Sequence, residues 1–266
     1  MENFVWNMQF MFPLVYAASS AAFVCLALNR DNGRYAFLLL CVIAAAVASY
    51  TMPNGLLVWP VLVAQAIYLK LKRHLTIAIA LLGAVIFASY CWHYQTPPLG
   101  LGAFGMLRHP ADATILIGLL LGAVLNSVSS RLGIAMTILA LLGAVYLGAK
   151  ALRDRPAQQS WLSALAAILV FLPLSAASIV AGRLTPQWLA GNTAVPSRYY
   201  TLIDAFWAAL AVLILYIFSH KPRSLLLAGF YGALYLCVMF LHPRMQKSAA
   251  EDWSGFIRGQ TPWARR

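Results

Sequence analysis

The chain has 266 residues, of which 62% are hydrophobic and only 10% charged, against about 25% charged in ordinary globular domains. That balance excludes a soluble globular domain and reads as an integral membrane protein. The net charge of +12 sits in short Lys and Arg clusters between apolar runs, not along one surface, so nucleic acid is excluded as a partner and these residues read as topology determinants and contacts to lipid phosphate.

A crossing takes about 20 apolar residues, and nine candidate runs lie along the chain at 10–28, 35–51, 55–70, 75–92, 113–128, 132–149, 161–181, 200–219 and 224–241. The expected fold class is therefore all-α, a polytopic transmembrane helix bundle of eight or nine membrane segments. It occupies 1–241, with a short basic tail at 242–266. Met1 to Gln9 lacks the basic n-region of a cleavable signal, so the first run is expected to stay in the membrane.

Orientation follows from loop charge. Arg30 and Arg34 lie in the first link and Lys70, Lys72 and Arg73 in the third, whereas the turn Thr51-Met52-Pro53-Asn54-Gly55 carries no basic residue. The positive-inside rule then puts the N-terminus outside. Strict alternation through nine spans would export Lys150, Arg153 and Arg155. Reading 113–128 as short or re-entrant removes that clash and leaves eight full spans. On this topology the Pro53-Asn54-Gly55 turn, loop 93–112 and loop 183–199 share the external face, opposite Lys70, Arg73, Lys150, Arg155 and Lys221.

Smaller signals accompany the runs. Gly118 and Gly122, four residues apart, mark a close helix contact. Trp59, Trp92, Trp161 and Trp253 fall near run ends, where indole rings favour the membrane interface. Cys25, Cys41, Cys91 and Cys237 share no metal-ligand spacing and read as small buried hydrophobes without disulfides.

Only seven acidic residues are present, so each can be weighed. Glu2 is terminal, Asp31 and Asp154 have basic neighbours, and Glu251 and Asp252 lie in the tail. Asp112 and Asp204 remain. If a helix begins near Ser197, its 3.6-residue period sets Ser197, Tyr200 and Asp204 on one face, with Trp207 continuing it. An acid within a membrane segment is a functional candidate, although Asp204 is close enough to the helix start to act at headgroup level. Asp112 either caps the helix that follows or joins His93, Tyr94, Arg108 and His109 in a loop able to hold a phosphate and move a proton. Arg183 and Arg198 flank a proline-punctuated loop, and their guanidinium groups suit bidentate phosphate binding. No residue set has metal spacing and no cofactor motif is present; no catalytic residue is assigned.

Several segments carry a family likeness. Trp6-Asn7-Met8-Gln9-Phe10, Tyr50 to Pro60 with its Asn54-Gly55, Tyr94-Gln95-Thr96-Pro97-Pro98, Gly182-Arg183 and Ser197-Arg198-Tyr199 resemble the second half of a group of bacterial polytopic proteins. Those proteins look like relatives of the C-type (GT-C) membrane glycosyltransferases, which use polyprenyl-phosphate sugars. The resemblance implies a bacterial inner-membrane protein of cell-envelope glycan synthesis, with a lipid-linked sugar phosphate as partner. Arg183, Arg198 and Tyr199 fall in these segments, and with Asp204, His93, Arg108 and Asp112, weighed above, they make up the expected substrate-binding set. Enzymes of that type carry an acid in the first external loop. Here the first loop, Asn29 to Arg34, is basic and faces the cytoplasm in the topology above, so no catalytic acid is carried onto Asp31. The expectation is an N-terminally shortened member or a non-catalytic relative working with a catalytic partner subunit. A small-solute or ion transporter coupled through Asp204, and a structural membrane subunit, are the alternatives.

Overall fold

The computed structural model describes residues 2–92, 108–123, 129–154, 159–183 and 199–218. In chain order these form α1 (Glu2–Asn32), α2 (Tyr35–Thr51), a 3-10 turn (Pro53–Leu57), α3 (Val58–Tyr68), α4 (Arg73–Cys91), α5 (Pro110–Leu121), α6 (Ser130–Asp154), α7 (Gln159–Arg183) and α8 (Tyr200–Phe218). The described part is thus a helical bundle, as expected. Four stretches are long and apolar enough to cross a membrane, Phe10–Asn32, Arg73–Cys91, Ser130–Arg153 and Gln159–Gly182. Among the described residues that does not reach eight or nine. The run at 224–241, the tail at 242–266 and Lys221 lie outside the described residues.

The surface is that of a protein in lipid. Leu81, Leu142 and Val145 stand 63%, 64% and 72% exposed, on helices that bury little of themselves in the bundle, and water would oppose apolar faces of that extent. Inside, α1 buries Val15, Ala18, Ser19, Ala22, Phe23 and Leu26, the three- and four-residue spacing of a single helical stripe. Half of these are small, and small residues let backbones approach where no hydrophobic force drives helices together. Phe171 of α7 fills the space beside them, with its ring edge-on to Tyr16 at 6.3 Å and to Phe23 at 5.8 Å.

Two links explain how the first helices are joined. Gly33 takes φ +65 and donates to the Asn29 carbonyl at 2.8 Å, while the Asn29 amide reaches Arg34 O at 2.9 Å, closing the α1–α2 hairpin. After α2 the chain turns at Pro53. Gly55 then lies so close to the last turn of α2 that a Cβ there would meet Ala48 O at 1.9 Å. The 55–70 run is broken by this packed 3-10 turn, and α3 is an 11-residue helix.

Trp59 is a correction to the reading of run-end tryptophans as interfacial anchors. It is buried, donates its indole N–H to Ser49 Oγ at 2.9 Å and presses on Gly83, where a Cβ would come within 2.8 Å of it. A polar acceptor and a missing side chain make room for it in the core. Trp92 and Trp161 remain exposed at helix ends, and Trp253 lies outside the described residues. Cys41 is buried, Cys25 is half-buried and all three described thiols are free. Cys91, the last residue of α4, is exposed and departs from the buried-hydrophobe reading, and Cys237 lies outside the described residues.

One end of the bundle gathers the basic links. Arg30 donates to Leu69 O at 3.1 Å, and Ser160 Oγ donates to Asp31, so the ends of α1 and α3 meet the start of α7. Lys70, Lys72 and Arg73 follow the end of α3, and Arg153 lies in the last turn of α6. Higher in the bundle Gln65 gives both amide hydrogens to other helices, to Phe23 O at 3.0 Å and Ser163 Oγ at 3.2 Å. The pair Gly118 and Gly122 marks the contact its spacing predicts. Gly118 faces Ile134, a Cβ at Gly122 would strike Gly133 O at 2.4 Å, and Thr137 donates to Gly118 O at 3.2 Å across the same contact. α5 and α6 therefore pack antiparallel there.

Candidate functional site

The opposite end of the bundle is where distant segments of the sequence converge. Phe12 and Tyr16 lie one turn apart on α1. Asn54, in the 3-10 turn, donates its amide to Tyr16 Oη at 3.3 Å. Tyr199, immediately before α8, sets its ring edge-on to Phe12, with centroids 5.6 Å apart and planes at 81°. α7 runs toward this end and closes at Arg183. The Asn54-Gly55 turn, the entry to α8 and the exit of α7 thus meet around the first half of α1.

The local chemistry explains the convergence. Gly55 permits the turn to lie against α2, which carries Asn54 inward until it is 3% exposed. Below it the core is unusually polar for a membrane bundle. Ser19 and Ser175 are fully buried. Among the described residues, Ser19 Oγ, Ser175 Oγ and Asn54 Oδ1 have no hydrogen-bond partner. Ser19 lies between Tyr16 and Phe23 on α1, and Ser175 lies one turn beyond Phe171 on α7, so the two hydroxyls flank the Tyr16–Phe171 contact. Each unmatched group carries a desolvation penalty of about 1–3 kcal/mol. Unmatched polar groups buried this fully are costly to the fold.

The sequence-predicted residues are placed as follows. Tyr199 is 1% exposed and packs as a core ring, its contact with Phe12 joining α8 to α1. Asp204 is half-buried on α8, one turn in from Tyr200, with Oδ1 closed off from solvent. Arg108 is exposed just ahead of α5. Asp112 does not cap that helix: His109 holds the N-cap position without a side-chain cap bond, and Pro110 opens the first turn. Asp112 instead pairs with His109 Nδ1 at 3.6 Å, with both side chains about half exposed. A carboxylate in the first turn also favours the positive end of the helix dipole. His93 and Arg198 lie outside the described residues, as does the side chain of Arg183.

Trp207 shows how α5 meets α8. Its indole N–H caps Leu121 O at 2.9 Å, so the C-terminal end of α5 ends against α8 and inside the bundle. Asp112 is nine residues back along that helix, roughly 14 Å away. The described contacts therefore join the Asp204–Trp207 face to Leu121, not to the Arg108–Asp112 end. Among the described residues no group of three His, Cys, Asp or Glu side chains is placed to hold a metal ion.

Sequence reasoning passed over the bonded pair Tyr16 and Asn54 and the buried polar side chains Ser19, Gln65 and Ser175. The signal was present, because each interrupts or borders an apolar run. Attention to ionisable groups alone missed it.

Compared with known proteins, the chain matches no family model, no curated protein and no solved structure. The likeness to GT-C relatives accordingly rests on the short sequence segments alone.

Proposed function

We propose that the chain is a multi-pass protein of the bacterial inner membrane, related to the polyprenyl-phosphate-sugar-dependent glycosyltransferases of cell-envelope glycan synthesis. In this reading it holds a lipid-linked sugar phosphate and does not by itself supply the catalytic acid. Arg183 and Arg198 take the phosphate, Asp204 and the Tyr16–Asn54 network face the polar headgroup, and a partner subunit provides the chemistry. The observation that carries the reading is convergence. Two segments most distinctive of the resemblance, Asn54-Gly55 and Ser197-Arg198-Tyr199, are 142 positions apart between Gly55 and Ser197, yet Asn54 and Tyr199 reach α1 one turn apart. The basic links at the other end of the bundle fit a cytoplasmic side there and an external side here.

Binding of a polyprenyl-phosphate sugar to the full chain in detergent tests this directly. Saturable binding that an Arg183→Ala/Arg198→Ala double variant loses is the expected result, and equal affinity in that variant would remove the assigned role. A second reading, a proton- or ion-coupled carrier, is favoured by one observation, the solvent-excluded carboxylate oxygen of Asp204. Uptake into proteoliposomes that Asp204→Asn abolishes, with no polyprenyl-phosphate binding, would favour it over the first.

A further inference from the structure

At the basic end of the bundle, α3, α6 and α7 leave an open-sided groove of about 360 Å³, lined among others by Gln65, Tyr68, Leu152, Ser163, Val170 and Leu174. Gln65 turns both amide hydrogens onto Phe23 O and Ser163 Oγ, and Ser163 gives its own to Ser160 O at 2.6 Å. Gln65 Oε1 is closed off from the surface without a partner among the described residues, so the groove wall is mostly hydrocarbon from Val61, Ala64, Leu152, Val170 and Leu174. From Ser163 to Leu174 it follows α7 for roughly 16 Å, about half of a 30 Å hydrocarbon core. It thus has the length of one leaflet.

The mouth of the groove, at Tyr68 and Leu152, is basic. Lys70 follows Tyr68 by two residues and Arg153 follows Leu152, both exposed, with Lys72 and Arg73 exposed beyond them. Asp31, which accepts from Ser160, keeps its charge at this end and is outnumbered there by Lys70, Lys72, Arg73 and Arg153. Lys70 adds an independent observation. It takes φ +53 while Leu71 N bonds Ala66 O at 3.1 Å and Lys70 N bonds Ile67 O at 3.0 Å, a paired helix-ending motif that glycine ordinarily closes. A lysine held in the left-handed region there sets a cationic residue two positions past Tyr68 at the expense of backbone strain.

We propose that the groove takes one acyl chain of an anionic phospholipid, with its phosphate on Lys70 and Arg153. A zwitterionic lipid fills the same hydrocarbon but carries an ammonium that these cations repel. A second copy of the chain would bring its own basic mouth against the same charges. Basic pockets between helices on the cytoplasmic side are the arrangement that selects anionic headgroups. The site is at the opposite end of the bundle from Asn54 and Tyr199 and stands apart from the function proposed above.

Native mass spectrometry of the full chain in detergent, with phosphatidylglycerol and phosphatidylethanolamine of matched acyl chains, tests it. Preferential retention of phosphatidylglycerol is expected. Lys70→Gly/Arg153→Gln should lower that affinity about 25-fold, at about fivefold per basic contact, and bring it toward the phosphatidylethanolamine value. Ala64→Phe, at an exposed position of the lining, should weaken both lipids by filling the groove. Arg183→Ala/Arg198→Ala should change neither. Equal retention of the two lipids, indifference to both groove variants, loss of phosphatidylglycerol in the Arg183/Arg198 variant, or a dimer that Ala64→Phe dissociates would each overturn the proposal.

Discussion

Replacing Gly55 with alanine is the sharpest perturbation of the packing that builds the candidate site. The added Cβ would lie 1.9 Å from Ala48 O and 2.4 Å from Ala48 C. Ordinary carbon–oxygen contacts begin near 3.3 Å, so the turn must withdraw from α2 by roughly 1.4 Å. Both neighbours are backbone and no side-chain rotation relieves the clash. Overpacking of this kind costs about 1–3 kcal/mol and sometimes more, and a chain of this size loses roughly 2–4 °C per kcal/mol. The expected fall in melting temperature in detergent is roughly 5 °C or more. Gly143→Ala is the control, since a Cβ there meets nothing within 4 Å and alanine in a helix interior gains about 0.5–1 kcal/mol over glycine. Melting followed by monodisperse elution after heating separates the two. If Gly55→Ala melts with Gly143→Ala, the turn is not packed on α2 and Asn54 is not delivered to Tyr16 as described.

Two further substitutions probe other joints. Trp207→Phe removes the donor to Leu121 O and should lower stability by about 1–3 kcal/mol, the penalty of a buried carbonyl left unmatched; an unchanged melting temperature would mean that α5 does not end against α8. Lys70→Gly should raise stability by about 1 kcal/mol by relieving the left-handed lysine while weakening anionic-lipid retention, and a fall in melting temperature would contradict the strain assigned to φ +53.

Helix positions were legible where hydropathy alone decides them. The 35–51 run is α2, Tyr35–Thr51, and the 200–219 run is α8, Tyr200–Phe218. Hydropathy failed at 55–70 because the break there is made by backbone contact between Gly55 and Ala48, which leaves the residues apolar throughout. Trp59 was misjudged for a related reason. Its position near a run end is a weak signal, whereas the Ser49 acceptor and the space at Gly83 come from other helices. The Gly118–Gly122 spacing was informative because the cause is local, two missing side chains one turn apart. α5 ends at Leu121, capped by Trp207, and residues 124–128 of the run lie outside the described residues. Its antiparallel packing on α6 points Arg108 and Asp112 toward the basic end, a correction to the expected grouping of loop 93–112 with the Asn54 turn, since the contact that orients α5 is made by another helix. Asp112 as an N-cap was a fair reading of its type and position, overruled when His109 and Pro110 opened the helix three residues earlier. Tyr199 was chosen by resemblance for a ligand, but edge-to-face packing on Phe12 is a tertiary contact that no periodicity within its own segment announces.

The account depends on the Asn54 turn and the entry to α8 sharing one side of the membrane, opposite the basic links. Single cysteines introduced by Pro53→Cys, Ala190→Cys and Lys72→Cys into a chain with Cys25, Cys41, Cys91 and Cys237 replaced can be labelled on intact cells with an impermeant maleimide. Pro53 is the exposed member of its turn and Lys72 is exposed in the basic link. Positions 53 and 190 should label from outside and position 72 only after permeabilisation. Labelling of 53 and 190 from opposite sides would separate Asn54 from the Arg183–Arg198 loop, and the lipid-linked phosphate site could not be assembled.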